Sequence, residues 1–193
     1  MTDVQTATAT TRQHAVSTRV LHWLVAVLVF TTLFIGFVMV NSVASYTTLV
    51  TIHKALGVTI LVVTVIRVGN RIFHRAPPLP STVGALERKM VMASELSLYA
   101  LLLAQPLIGW AMVSAAGNHV VVFGLRLPRI APFDLDLYGV LRQAHTILAF
   151  LLVAAIAAHV SAVLLHSVTL RDGMLRRMTF RLGARNDSDV KPG

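Results

Sequence analysis

The chain has no cysteine among its 193 residues. That absence excludes a disulfide framework, a thiolate nucleophile, an iron–sulfur cluster and covalent Cys-x-x-Cys-His haem attachment, so any metal must be held by nitrogen, oxygen or thioether. Charge is scarce too: Asp, Glu, Lys and Arg make up 13% of the residues, and only 8 are acidic. A soluble globular domain carries about 25% charged residues, so a conventional soluble globule is excluded. What is abundant is apolar surface, with 55% hydrophobic residues and a mean hydropathy of +0.72. One domain's length of chain with that balance reads as a membrane protein.

No Asp, Glu, Lys or Arg interrupts residues 20–53, 55–66, 96–125 or 143–170. A crossing needs about 20 largely apolar residues. Three windows meet this directly. The second does so if the helix starts near Leu49 and Arg67 and Arg71 reach outward from its far end. The expected fold is therefore an all-α membrane protein, a four-transmembrane-helix bundle with helices near 20–40, 49–70, 94–115 and 143–166. The first apolar stretch is too long for a signal peptide and lacks a convincing cleavage site, so it is read as a retained span. Residues 14–178 form one domain, with 1–13 a disordered N-terminal tail and 179–193 a basic C-terminal tail. The run His74-Arg75-Ala76-Pro77-Pro78-Leu79-Pro80 reads as an extended loop between the second and third helices.

The net charge of +9 would point to nucleic acid in a soluble protein, but its distribution gives a different reason for it. Arg12, Arg19, Arg67, Arg71, Arg75, Arg88, Lys89, Arg171, Arg176, Arg177, Arg181, Arg185 and Lys191 fall on one side of the four spans, against Lys54, Arg126, Arg129 and Arg142 on the other. The positive-inside rule then puts both termini in the cytoplasm. Contact with anionic lipid is a secondary consequence, and no nucleic-acid partner is needed.

Four of the 8 histidines lie in or at the ends of spans: His22, His53, His145 and His159. Any one alone is well explained as an interfacial or hydrogen-bonded structural histidine. Together they form a pattern. His145 and His159 are fourteen residues apart, nearly four helical turns, which places them on one face of the fourth helix about 21 Å apart. With the helices alternating in direction, His53 and His145 share the outer level and His22 and His159 the inner one. Two facing imidazoles at each of two depths suit two six-coordinate haems, whose porphyrins supply the remaining nitrogens. Zinc or copper would be left short of protein ligands at either level. Gly57, Ala154, Ala155 and Ala158 offer room for a porphyrin or, equally, ordinary small-residue packing. Arg19, Arg67 and Arg71 are candidate propionate partners, a role that competes with plain positive-inside anchoring.

Several ordered motifs carry a resemblance: Arg19-Val20-Leu21-His22-Trp23, Ile52-His53-Lys54-Ala55-Leu56-Gly57, Gln105-Pro106-Leu107-Ile108-Gly109, Gly117-Asn118 with Phe123-Gly124-Leu125-Arg126-Leu127-Pro128, then His145 and His159. From about residue 12 to 178 the chain resembles the prokaryotic cytochrome b561 family. The resemblance implies a four-helix cytochrome of the bacterial inner membrane that binds two haem b, with the four histidines as axial ligands. It further implies superoxide oxidase activity, in which periplasmic superoxide is oxidised to dioxygen and the electron passes to ubiquinone.

The residues themselves bear on that activity. An iron with both axial positions filled by histidine has no open site for oxygen activation and suits outer-sphere transfer of one electron at a time. Lys54, Arg126, Arg129 and Arg142, set against Asp134 and Asp136, make an outer mouth able to attract a small anion or simply to anchor in the interface. His166 or Trp110 offers a polar contact for quinone. Two other functions remain open: a membrane cytochrome subunit fed by a partner dehydrogenase or hydrogenase, and a non-redox membrane protein whose histidines bind transition metal.

Overall fold

A computed structural model describes residues 16–73 and 84–165. It contains α1 (Val16–Asn41), α2 (Tyr46–Phe73), α3 (Ala85–Ala115), a hairpin of β1 (Val121–Val122) and β2 (Leu125–Arg126), and α4 (Leu135–Leu164). All four helices are long and apolar enough to cross a membrane. Helix is the form such segments must take, because in hydrocarbon every backbone N–H and C=O has to find its partner within the segment. Consecutive helices pack on one another, α1 on α2, α2 on α3 and α3 on α4, whereas α1 and α4 do not pack closely. Phe30, Phe34 and Phe37, one helical stripe of α1, point outward and are more than half exposed. In water such a stripe would be a liability; against lipid tails it is the expected surface.

The helices run past the expected limits. α3 begins at Ala85 rather than near 94, and α4 at Leu135 rather than near 143. Hydropathy marks the part of a helix that sits in lipid, and the charged turns around Glu87, Arg88 and Lys89 continue it into water. The tails 1–13 and 179–193 and the segment His74–Pro80 lie outside the described residues.

α4 has a defined start. The Asp134 carboxylate accepts from the Leu137 N–H at 2.9 Å, while the Asp134 N–H donates to the Ala115 carbonyl at 3.0 Å. One residue thus caps α4 and ties it to the end of α3. Asp134→Ala is expected to destabilise the bundle by about 1 kcal/mol, read as a lower unfolding midpoint in detergent, with Asp134→Asn retaining most of the stability. An unchanged midpoint in the Ala variant would show that the cap contributes nothing.

Between the third and fourth helices the chain folds tightly. Phe123 and Gly124 both have positive φ, 49° and 81°, the signature of a two-residue primed turn. They join strands paired Val121 to Arg126 and Val122 to Leu125. The Trp110 indole N–H donates to the Pro128 carbonyl at 3.0 Å, and the Ile130 N–H donates to the buried Ser114 hydroxyl. These bonds clamp the loop that carries Arg126 and Arg129 onto the last turns of α3.

Candidate functional site

Two seven-residue steps organise the interior. On α4, His145 is followed seven residues later by Leu152 and seven later by His159; on α2, His53, Ile60 and Arg67 repeat the spacing. Seven residues are nearly two helical turns, so each trio lies on one face at successive levels about 10.5 Å apart. Ile60 and Leu152 are buried with Val25, Val29 and Leu102 in one apolar cluster. That cluster forms the middle level. A polar site lies beyond it at each end, the hairpin end and the end nearer the chain termini.

At the hairpin end His53 and His145 face each other. Their ring centroids are 6.3 Å apart and their planes meet at 74°. Two imidazoles bound to one metal from opposite sides, with metal–nitrogen bonds of about 2.0 Å and ring centres about 1.1 Å further on, would be separated by about 6 Å. The pair therefore fits a single iron held between them. Gln105 from α3 donates through its amide nitrogen to the His145 backbone carbonyl at 3.1 Å, and the same nitrogen lies 3.3 Å from His145 Nε2. An amide N–H facing Nε2 makes that nitrogen the acceptor and leaves the ring proton on Nδ1. That contact occupies the lone pair a metal would use, so ligation through Nε2 requires the Gln105 amide to release it.

The opposite end is built from charge. Arg67 donates through Nη2 to His22 Nδ1 at 3.0 Å and stacks over the Tyr99 ring at 5.3 Å. One guanidinium therefore links α1, α2 and α3. Arg71 makes a two-pronged pair with Glu95, at 2.9 and 3.0 Å, and Arg19 is buried. Asn70 donates to the Thr18 hydroxyl and accepts from that of Ser17, fastening the start of α1 to the end of α2.

The four histidines singled out from the sequence thus occupy the two ends of the bundle. His53 and His145 are brought together directly; of the other two, His22 is bonded to Arg67. His166 lies outside the described residues, and the Trp110 N–H is engaged by Pro128. Gly57 has open space around it; the glycines that meet histidine are Gly36 and Gly109. Three side chains escaped the sequence analysis: Gln105, Glu95 and Tyr99. Glu95 carried a usable signal, being an acid beside the apolar window of α3 and level with the two arginines of α2. Among the described residues no three His, Asp or Glu converge as a metal-binding group, so two imidazoles suit a metal that brings its own macrocycle better than a bare ion.

Comparison with known proteins agrees with this construction. Residues 13–181 match the prokaryotic cytochrome b561 family. A protein of Yersinia pestis named probable superoxide oxidase CybB is 30% identical over 127 residues, covering 66% of this chain and 72% of the relative. Cytochrome b561 homolog 2 of Escherichia coli (strain K12) is 31% identical over 179 residues, covering 89% of this chain and 93% of the relative. Four crossings, paired interior histidines and a match over nearly the whole described length lead to one conclusion: the chain belongs to the prokaryotic cytochrome b561 family, multi-pass membrane proteins of the bacterial inner membrane that bind haem b and transfer electrons.

Proposed function

We propose that the protein is a two-haem superoxide:ubiquinone oxidoreductase whose hairpin end faces the periplasm and whose termini face the cytoplasm. The observation that carries this reading is the 6.3 Å approach of His53 and His145, with a second histidine pair below the middle apolar level. His53 and His145 would hold the outer haem, and His22 and His159 the inner one. Each bound haem supplies reversible one-electron transfer. A haem held by two imidazoles would offer oxygen no open site and would suit outer-sphere electron transfer.

The side chains perform the remaining tasks. Lys54, Arg126, Arg129 and Arg142 attract the anion to the outer mouth, and the Trp110 and Ser114 bonds hold two of those cations in place. At the other end Arg67 donates to His22 Nδ1, which keeps the ring proton on Nε2; ligation through Nε2 requires Arg67 to release the ring. The released guanidinium, with Arg19 and Arg71, is then available to the propionates, Arg71 sharing its charge with Glu95. Two superoxide ions become two dioxygen molecules while one ubiquinone takes up two electrons and two protons to become ubiquinol. His166, seven residues after His159 in the sequence, is the candidate quinone contact. The name of the Yersinia pestis relative supports the superoxide assignment.

The test is direct. Oxidised protein mixed with a superoxide source should show its haem bands reduced, and addition of a short-chain ubiquinone should reoxidise them. Reduction only by a copurifying dehydrogenase or hydrogenase subunit, with no response to superoxide, would transfer the function to a partner-fed cytochrome.

A further inference from the structure

Gly36 on α1 and Gly109 on α3 stand in the same relation to the two outer histidines. A Cβ built on Gly36 would lie 3.3 Å from His53 Cε1 and 3.6 Å from its Nδ1, and one built on Gly109 would lie 3.0 Å from His145 Cε1 and 3.3 Å from its Nδ1. The same edge of each imidazole therefore rests against a glycine of the neighbouring helix. The backbones of Thr32 and Gln105 interact with the His53 and His145 rings respectively. Both lie four residues before the glycine in question. This repetition has a geometric cause, since a helical Cβ leans toward the N-terminus and covers the turn before its own residue. With no Cβ at 36 or 109, the carbonyls of Thr32 and Gln105 are left open to a side chain from the next helix. Both Nδ1 atoms are buried and lack a full hydrogen bond.

We infer that Gly36 and Gly109 are positioning residues for the outer haem: each exposes a helix carbonyl that orients the Nδ1–H of one axial histidine, fixing the ring plane and the tautomer that presents Nε2 to iron. The inference rests on ligation by His53 and His145. A ligand histidine whose second nitrogen donates to a fixed acceptor is more basic and turns less freely. At the other end of the bundle Arg67 contacts His22 Nδ1. Near-perpendicular rings, 74° apart, should give the oxidised outer haem a strongly anisotropic low-spin electron paramagnetic resonance signal.

The experiment uses the full haem-loaded protein and single Gly36→Ala, Gly109→Ala, Gly139→Ala and His53→Ala variants, read by electron paramagnetic resonance and by redox titration of each haem. Gly36→Ala should move the low-field line of one haem, raise that haem's potential and leave the other unchanged. Gly109→Ala, with the tighter contact, should do the same more strongly or lose that haem. Gly139→Ala, with open space around it and no place in the haem site, should behave as wild type. If Gly109→Ala does not fold, Gly36→Ala decides alone. Unmoved signals in the Gly36 variant, while His53→Ala disrupts one haem, would overturn the positioning role and leave the ligands standing. Intact signals from both haems in His53→Ala would overturn the ligand assignment itself.

Discussion

Alanine at His145 is expected to remove or convert to high spin one haem and to leave the other spectrally unchanged, and alanine at His53 is expected to give the same spectrum. On the proposed assignment each substitution would remove one of two protein ligands from the outer haem, while the inner haem would keep both of its own. His22→Ala and His159→Ala should form a second class in which the outer haem survives. The two classes follow from depth and helical phase: fourteen residues of helix separate His145 from His159, about 21 Å, and the apolar level of Ile60 and Leu152 lies between. Sites so far apart with no shared ligand should respond independently. Grouping of His22 with His145 would contradict the fold, because the two residues lie at opposite ends of the bundle.

Charge at the outer mouth should have the next largest effect. Superoxide should reduce the protein about tenfold more slowly in the Arg126→Gln, Arg129→Gln double variant at low salt, since electrostatic steering raises association rates by about 10-fold to 1000-fold. The wild-type rate should fall toward that of the variant as salt rises, because the Debye length shrinks from about 10 Å at 0.1 M to about 3 Å at 1 M. Haem content and spectra should be unaffected. A salt-independent wild-type rate equal to that of the double variant would reduce the mouth to an interfacial anchor.

Much of this molecule is legible in its sequence because lipid and helix impose strong periodic constraints. Long charge-free runs locate the four crossings, and the helical repeat alone puts His145 and His159 on one face. The helix ends are less legible, since hydropathy reports the bilayer and not the helix. At α4, Asp134 three residues before a backbone donor was a readable cap that an apolar window passes over. The hairpin stayed hidden because Phe123 occupies a left-handed position usually taken by Asn, Asp or Gly, leaving only Gly124 as a sign. Gln105 and the two glycines at the outer site depend on how α1 and α3 are rotated against their neighbours, which no single helix's pattern determines. Charge pairing between helices is equally distant in sequence: Arg71 and Glu95 belong to separate spans, and their two-pronged bond emerges only when α2 and α3 are packed.

The most direct test of two independent centres is the haem content of the His53→Ala, His145→Ala double variant, measured per polypeptide after extraction into acidic organic solvent. The wild type should yield two haems per chain, both extractable because the sequence offers no cysteine for attachment. The double variant should yield one, with the low-spin spectrum of the inner centre intact. Two haems still bound to the double variant, or one bound haem showing the spectrum assigned to the outer centre, would contradict the account.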